Sequence, residues 1–142
     1  MTIYYDSSAL LKIYIEEEYS AFVRNIISNH QINYISSLSF VEIHSVFSRL
    51  LNNSQISQNE LLFLKLSFNN DYNIFRQIPI NNQILKRAAE LTYISNLRTL
   101  DSIHLASIEY LKSITEEELL FGCFDNKLIE SAISLGIKIL KP

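Results

Sequence analysis

Thr2-Ile3-Tyr4-Tyr5-Asp6-Ser7-Ser8-Ala9-Leu10-Leu11-Lys12 is the stretch on which the fold turns. Residues 2–6 are β-branched and aromatic up to the acid, the composition of a short buried strand. Ser7 and Ser8 then offer N-cap hydroxyls to a helix whose Leu10, Leu11 and Tyr14 share one face. A carboxylate, Asp6, stands between the two elements. A charge directly after a buried strand is costly unless it caps the helix, is paired, or faces a crevice.

The same alternation runs outward from this start. A second helix is expected over about 17–28, and Ile32-Asn33-Tyr34-Ile35 reads as a second strand. Ser36, Ser37 and Ser39 offer caps to a helix carrying Val41, Glu42, Val46, Phe47 and Leu50, broken at Asn52-Asn53-Ser54. A helix over about 57–69 precedes an expected strand from Tyr72 to Ile78, stopped by Pro79. A helix over about 80–95 leads to Arg98-Thr99-Leu100-Asp101, where Thr99 is a candidate cap for a helix using Leu105, Ile108 and Leu111. Leu119 to Phe124 reads as a strand and 126–135 as a helix, with Gly136 at a left-handed C′ position. Ile137 to Leu140 closes as a last strand. Strands alternating with helices predict an α/β class: a central, mainly parallel sheet of about five short strands between two helical layers. No repeat or linker divides residues 1–142, so a single domain is expected.

Composition narrows the functional classes. Nearly half the residues are hydrophobic, which supports a proper core, and two glycines leave little room for a Gly-rich nucleotide loop. A net charge of −3 argues against a nucleic-acid binder that works through its whole surface, so a polyanion would need local Lys/Arg or a metal. One cysteine excludes an intrachain disulfide framework and fits a reducing cytosol. No signal peptide and no membrane-spanning run is evident, so a soluble cytoplasmic protein is expected.

Four acids stand where segments change direction: Asp6, Glu42, Asp101 and Asp125. Each has a bland reading. Asp6 is a helix cap, Asp101 a dipole-compatible acid in a first turn, Glu42 a surface residue, and Asp125 a turn former. Glu42, however, lies among Phe40, Val41, Ile43, Val46 and Phe47, a setting for a half-buried carboxylate in want of a cation. Shared placement at the carboxyl ends of strands, where open α/β sheets bind ligands, points to one site. Oxygen donors without matching cations suit Mg²⁺ or Mn²⁺. Mutual repulsion would raise the pKa of some members, and a bound divalent ion would reverse this. His30, His44, His104 and Cys123 lack zinc-like spacing. His104, one turn from Asp101, is a core or a positioning residue. Lys12, Arg98 and Lys127 are candidates for phosphate contacts, and Ser7 and Ser8 for water or substrate.

With these blocks in view the chain resembles the PIN domain family, and within it the VapC-type ribonuclease toxins of toxin–antitoxin pairs. The likeness rests on Tyr4-Tyr5-Asp6-Ser7-Ser8-Ala9-Leu10-Leu11-Lys12 and Ser36-Ser37-Leu38-Ser39-Phe40-Val41-Glu42-Ile43. It continues in Arg98-Thr99-Leu100-Asp101-Ser102-Ile103-His104-Leu105-Ala106 and Phe124-Asp125-Asn126-Lys127-Leu128, then Ala132 and Leu135-Gly136-Ile137. Cys123 departs from the Thr or Ser that relatives often carry, which puts a helper hydroxyl in doubt. The resemblance implies a three-layer α/β/α fold and a Mg²⁺-dependent endoribonuclease, with Asp6, Glu42, Asp101 and Asp125 as catalytic and metal-binding residues. It further implies an RNA substrate, a cognate antitoxin and a homodimer. Other readings are a housekeeping RNA-processing nuclease, a catalytically silent interaction module, and a phosphoryl-transfer protein on a flavodoxin-like fold. The last needs paired acids or Asp-x-Asp at the first strand, where this chain has Asp6-Ser7-Ser8.

Overall fold

Every residue of β1 (Thr2–Tyr5) is buried, which only the centre of a sheet covered on both faces allows. The computed structural model describes residues 1–29 and 32–142. His30 lies outside the described residues. In chain order β1 is followed by α1 (Ser7–Tyr14), α2 (Ser20–Ser28), β2 (Ile32–Ser36), α3 (Ser39–Asn52), α4 (Gln58–Tyr72) and β3 (Arg76–Ile78). Then come α5 (Asn82–Ile94), α6 (Thr99–Ile114), β4 (Leu119–Gly122), α7 (Asn126–Ser134) and β5 (Lys138–Ile139). The sheet is five-stranded in the order β3-β2-β1-β4-β5. All its pairings are parallel, with Thr2 opposite both Ile32 and Leu119.

The period-two alternation of β1 sorts the helices into two layers. Tyr4 and Phe121 point into a core with Ile84 and Leu91 of α5, Leu105 and Ile108 of α6, and Leu128 of α7. Ile3, Tyr5 and Ile35 point the other way, into a core with Leu10 of α1, Val23 of α2, Ile43 and Phe47 of α3, and Phe68 of α4. This is the expected three-layer α/β/α arrangement.

Local caps explain most helix starts. Asp6 accepts a hydrogen bond from the Ala9 N–H at the start of α1, and Ser57 and Glu60 form a reciprocal capping box on α4. Gly136 takes φ +69° after α7, its N–H bonded to the Ile133 carbonyl and that of Ile137 to Ala132. That is the Schellman closure expected of a glycine there.

Five expectations are corrected. Tyr72 is the last residue of α4 and not the first of a strand; β3 spans only Arg76–Ile78. Its ring lies 6.0 Å from Phe68, one helical turn back, and 4.8 Å from Phe40, so tertiary packing overrides the β-propensity of the stretch. Helix α2 begins at Ser20, because Glu17 to Tyr19 form a turn braced on Ser20 Oγ. Arg98, not Thr99, is the N-cap of α6, without a side-chain bond, and Thr99 is the first helical residue. Strand β4 stops at Gly122, since the N–H of Phe124 is taken by Ser8 Oγ at 3.0 Å, and β5 is trimmed to Lys138–Ile139.

Gly122 sits opposite Tyr5 in the register. A Cβ there would stand 2.8 Å from Tyr5 Cδ1, on a fully buried ring with nowhere to retreat. Gly122→Ala is expected to lower stability by about 1–3 kcal/mol through overpacking, read as a lower urea midpoint with unchanged slope.

Candidate active site

The strand order reverses direction between β1 and β4, the switch point beyond whose carboxyl ends open α/β sheets place ligands. Asp6 follows β1 directly and Asp125 lies three residues past β4. Glu42 is in the first turn of α3, reached from the end of β2 by a short turn. Asp101 is in the first turn of α6. This helix delivers the chain to the start of β4, so its own beginning lies at the edge where the strands end. The fold therefore brings all four segments to one edge of the sheet.

Asp6 is buried and held on both oxygens. Its Oδ1 accepts from the Ala9 N–H at 3.0 Å and from Ser8 Oγ at 2.7 Å. Its Oδ2 accepts from the Cys123 thiol at 3.1 Å. Cys123 thus takes the place of the helper hydroxyl; burial and the Asp6 charge push its pKa well up, so it remains a protonated donor. Burial also raises the Asp6 pKa, against the opposing pull of His104, Ser8, Ala9 and Cys123. Its capping role leaves room for a further contact, because Oδ2 lies outside the cap and accepts only from Cys123. Asp125 is likewise the N-cap of α7, accepting from the Leu128 N–H at 2.9 Å, and not merely a turn former; it is exposed.

Glu42 is the half-buried acid its neighbours predicted, and its partner is His104. Glu42 Oε1 is 2.6 Å from His104 Nε2 and accepts from Ser7 Oγ at 2.6 Å. The other ring nitrogen of His104, Nδ1, is 2.8 Å from the Tyr4 hydroxyl. Burial works to raise the Glu42 pKa, but the His104 and Ser7 hydrogen bonds outweigh it and hold the carboxyl below its usual range. Burial works to lower that of His104, yet Glu42, Asp6 and Asp101 together hold it above. His104 is therefore core by burial and positioning by its bonds. Tyr4 is the member that the sequence reading missed. The only signal for it was a tyrosine in a fully buried strand, whose hydroxyl needs a partner.

Asp101 carries the clearest electrostatic record of the gathering. Its pKa is raised, first by burial, then by the charges of Asp125 and Asp6, with Glu42 adding to them and His104 opposing. All three other acids thus act on one carboxyl. The donor set is all oxygen, and its neighbouring positive group is the histidine on Glu42. Such a set fits a hard divalent cation better than a soft one. Among the described residues, no three His, Cys, Asp or Glu side chains are already drawn together tightly enough to hold an ion.

The remaining candidates differ in their surroundings. Lys12 is buried, paired with Glu17 at 3.2 Å and set over the Phe124 ring, so it is not extended toward a phosphate. Arg98 and Lys127 are exposed. His44 bonds Asn69 within the aromatic cluster of Phe40, Phe47 and Phe68. No described helix is long and apolar enough to cross a membrane.

Comparison with known families decides the lineage: the PIN domain profile matches residues 3–133. The chain belongs to the PIN domain family. Solved structures agree on the PIN fold. FitAcB from Neisseria gonorrhoeae aligns with a TM-score of 0.75 at 13% identity, over 99% of this chain and 98% of that one. Mycobacterium tuberculosis VapC20, described as a sarcin-ricin loop cleaving toxin, aligns at 0.69 and 12% identity, over 99% and 100%. A toxin–antitoxin complex from Klebsiella pneumoniae aligns at 0.58 and 18% identity, over 84% of each chain. No curated protein sequence matches the chain.

Proposed function

We propose that this PIN domain is a Mg²⁺-dependent endoribonuclease, the toxin of a toxin–antitoxin pair, with Mn²⁺ as an alternative metal. The observation that carries the reading is the placement of Asp6, Glu42, Asp101 and Asp125 on segments that meet at the carboxyl edge of the sheet, where the other three acids raise the pKa of Asp101. The toxin role is supported by structural neighbours described as a toxin and as a toxin–antitoxin complex. An antitoxin partner and a homodimer belong to the same proposal.

Asp6 and Asp101 are the residues assigned to hold the ion. Asp6 is prepositioned by Ser8, Ala9 and Cys123. Asp101, in the first turn of α6, would be its fellow ligand, with the exposed Asp125 at the N-cap of α7 available to the ion or its waters. Glu42 is clamped through Oε1 by His104 and Ser7, which would leave Oε2 for the ion or its waters. A divalent ion supplies the lowered water pKa and charge stabilisation that phosphodiester hydrolysis needs. The helper thiol of Cys123 keeps the lone pairs of Asp6 oriented without adding charge.

Incubating the protein with RNA, with Mg²⁺ and then with excess chelator, tests the activity; uncut RNA under both conditions refutes it. Expression with and without the neighbouring gene tests the biological role, which requires growth arrest that the neighbour relieves and Asp101→Asn abolishes.

Metal binding is also expected to show in stability. The raised carboxyl groups of Asp6 and Asp101 favour the metal-free fold when protonated, and that contribution is lost as pH rises through their folded pKa values. An ion bound to their ionised forms acts in the opposite sense. Mg²⁺ at about 100 times its Kd should add about 2.7 kcal/mol, seen as a higher Tm near neutral pH and a much smaller shift at about pH 4.

A further inference from the structure

Tyr19 breaks two local rules at once. It is the N-cap of α2, where Ser, Thr, Asp or Asn would supply a side-chain acceptor, and it makes no cap bond. It also takes φ +66°, a left-handed conformation suited to Gly or Asn and unfavourable for a bulky side chain. Burial does not compensate, because the residue is 45% exposed. Violations of local preference at a half-exposed residue are expected where function sets the residue.

The turn is nevertheless firmly held. Ser20 Oγ accepts from the Glu17 N–H at 2.9 Å and donates to the Ile15 carbonyl at 3.1 Å, while Glu17 pairs with Lys12. What this bracing achieves is a stack: the Tyr19 ring lies on Phe124, centroids 5.5 Å apart and planes 18° from parallel. Phe124 is tied to the acids through Ser8, whose Oγ accepts from the Phe124 N–H and donates to Asp6. The aromatic pair is thus fixed in position relative to Asp6. Beside it lies a hollow of about 200 Å³, lined by Tyr19, Phe124 and Ile133, with Lys141 among its walls.

We infer that the Tyr19–Phe124 pair is a stacking ledge for an unpaired nucleobase of the RNA next to the cleaved phosphate. The inference rests on the nuclease reading and names a subsite for its substrate. A base presents a flat π face that an exposed aromatic ring accepts whatever the sequence, and Lys141 lines the hollow beside the pair. Lys12, buried and paired with Glu17, lies over the Phe124 ring and supports it from the protein side.

The test uses Tyr19→Asn, which relieves the backbone strain and restores a cap, so its Tm should equal or exceed that of the wild type. Its affinity for a short fluorescein-labelled single-stranded RNA, measured by anisotropy in an Asp6→Asn background, should fall by about ten-fold or more. In the active protein kcat/KM should fall to match, chiefly through KM, while Tyr19→Phe stays near wild type. An abasic substitution flanking the cleaved bond should weaken the wild type and leave Tyr19→Asn unaffected. Unchanged RNA affinity and KM in Tyr19→Asn overturn the ledge and leave the nuclease reading standing. A wild type that neither binds nor cuts RNA overturns both. Loss of a protein partner by Tyr19→Asn, with RNA binding intact, makes the ledge a protein-docking surface and also overturns the inference.

Discussion

Asp6→Asn is expected to fold normally and to lose Mg²⁺-dependent RNA cleavage. The amide oxygen accepts from the Ala9 N–H and Ser8 Oγ as the carboxylate does, and Asn caps a helix about as well as Asp. The amide nitrogen faces the Cys123 sulfur, a weak acceptor. Removing a charge that burial penalises further favours the metal-free fold. The loss falls on the metal. Even the outer partners of a metal ligand are worth about 10–100-fold, so losing a charged ligand should cost more than about 100-fold in activity. Initial cleavage rates beside a urea unfolding curve measure both halves. A variant that cuts RNA at the wild-type rate removes Asp6 from the mechanism.

His104→Leu is expected to cost the most stability of any change near the site. Leucine keeps the bulk but leaves Glu42 Oε1 with Ser7 alone and strips the Tyr4 hydroxyl of its ring-nitrogen partner. Breaking a buried pair from one side costs about 3–5 kcal/mol. The pH dependence gives a signature that simple loss of packing lacks. The pKa of His104 is raised above 6.5, so its contribution is present below that value and is lost as pH rises through the folded pKa. That of Glu42 is lowered below 4.5, so its contribution is present above that value and is lost as pH falls through the folded pKa. The pair therefore stabilises most between these limits. Urea midpoints for the wild type should fall from mildly acidic to alkaline pH, and His104→Leu should flatten that trend. His104→Gln, which can still reach one partner, should recover part of the loss. Equal trends in wild type and His104→Leu would show that the pair does not govern this region.

What could be read from the chain alone followed from local chemistry. The buried β1, the caps at Asp6 and Asp125 and the glycine closing α7 each depend on a few consecutive residues. Placing Asp6 and Asp125 at strand ends needed only the alternation of strands and helices. The Glu42–His104–Tyr4 chain could not be read this way, because it joins residues 62 and 100 positions apart and only the folded core sets its distances. Tyr72 misled for the opposite reason: its β-forming side chain was claimed by Phe68 and Phe40 across two helices. Tyr19 gave no signal, since a lone tyrosine in an acidic turn looks like any surface residue until its backbone angle is known.

Anomalous scattering from a crystal soaked in Mn²⁺ puts the shared ion to the most direct trial. The account predicts a peak in contact with the carboxylates of both Asp6 and Asp101, absent from an Asp101→Asn crystal. A manganese site elsewhere, or no site with both side chains ordered and apart, would contradict it.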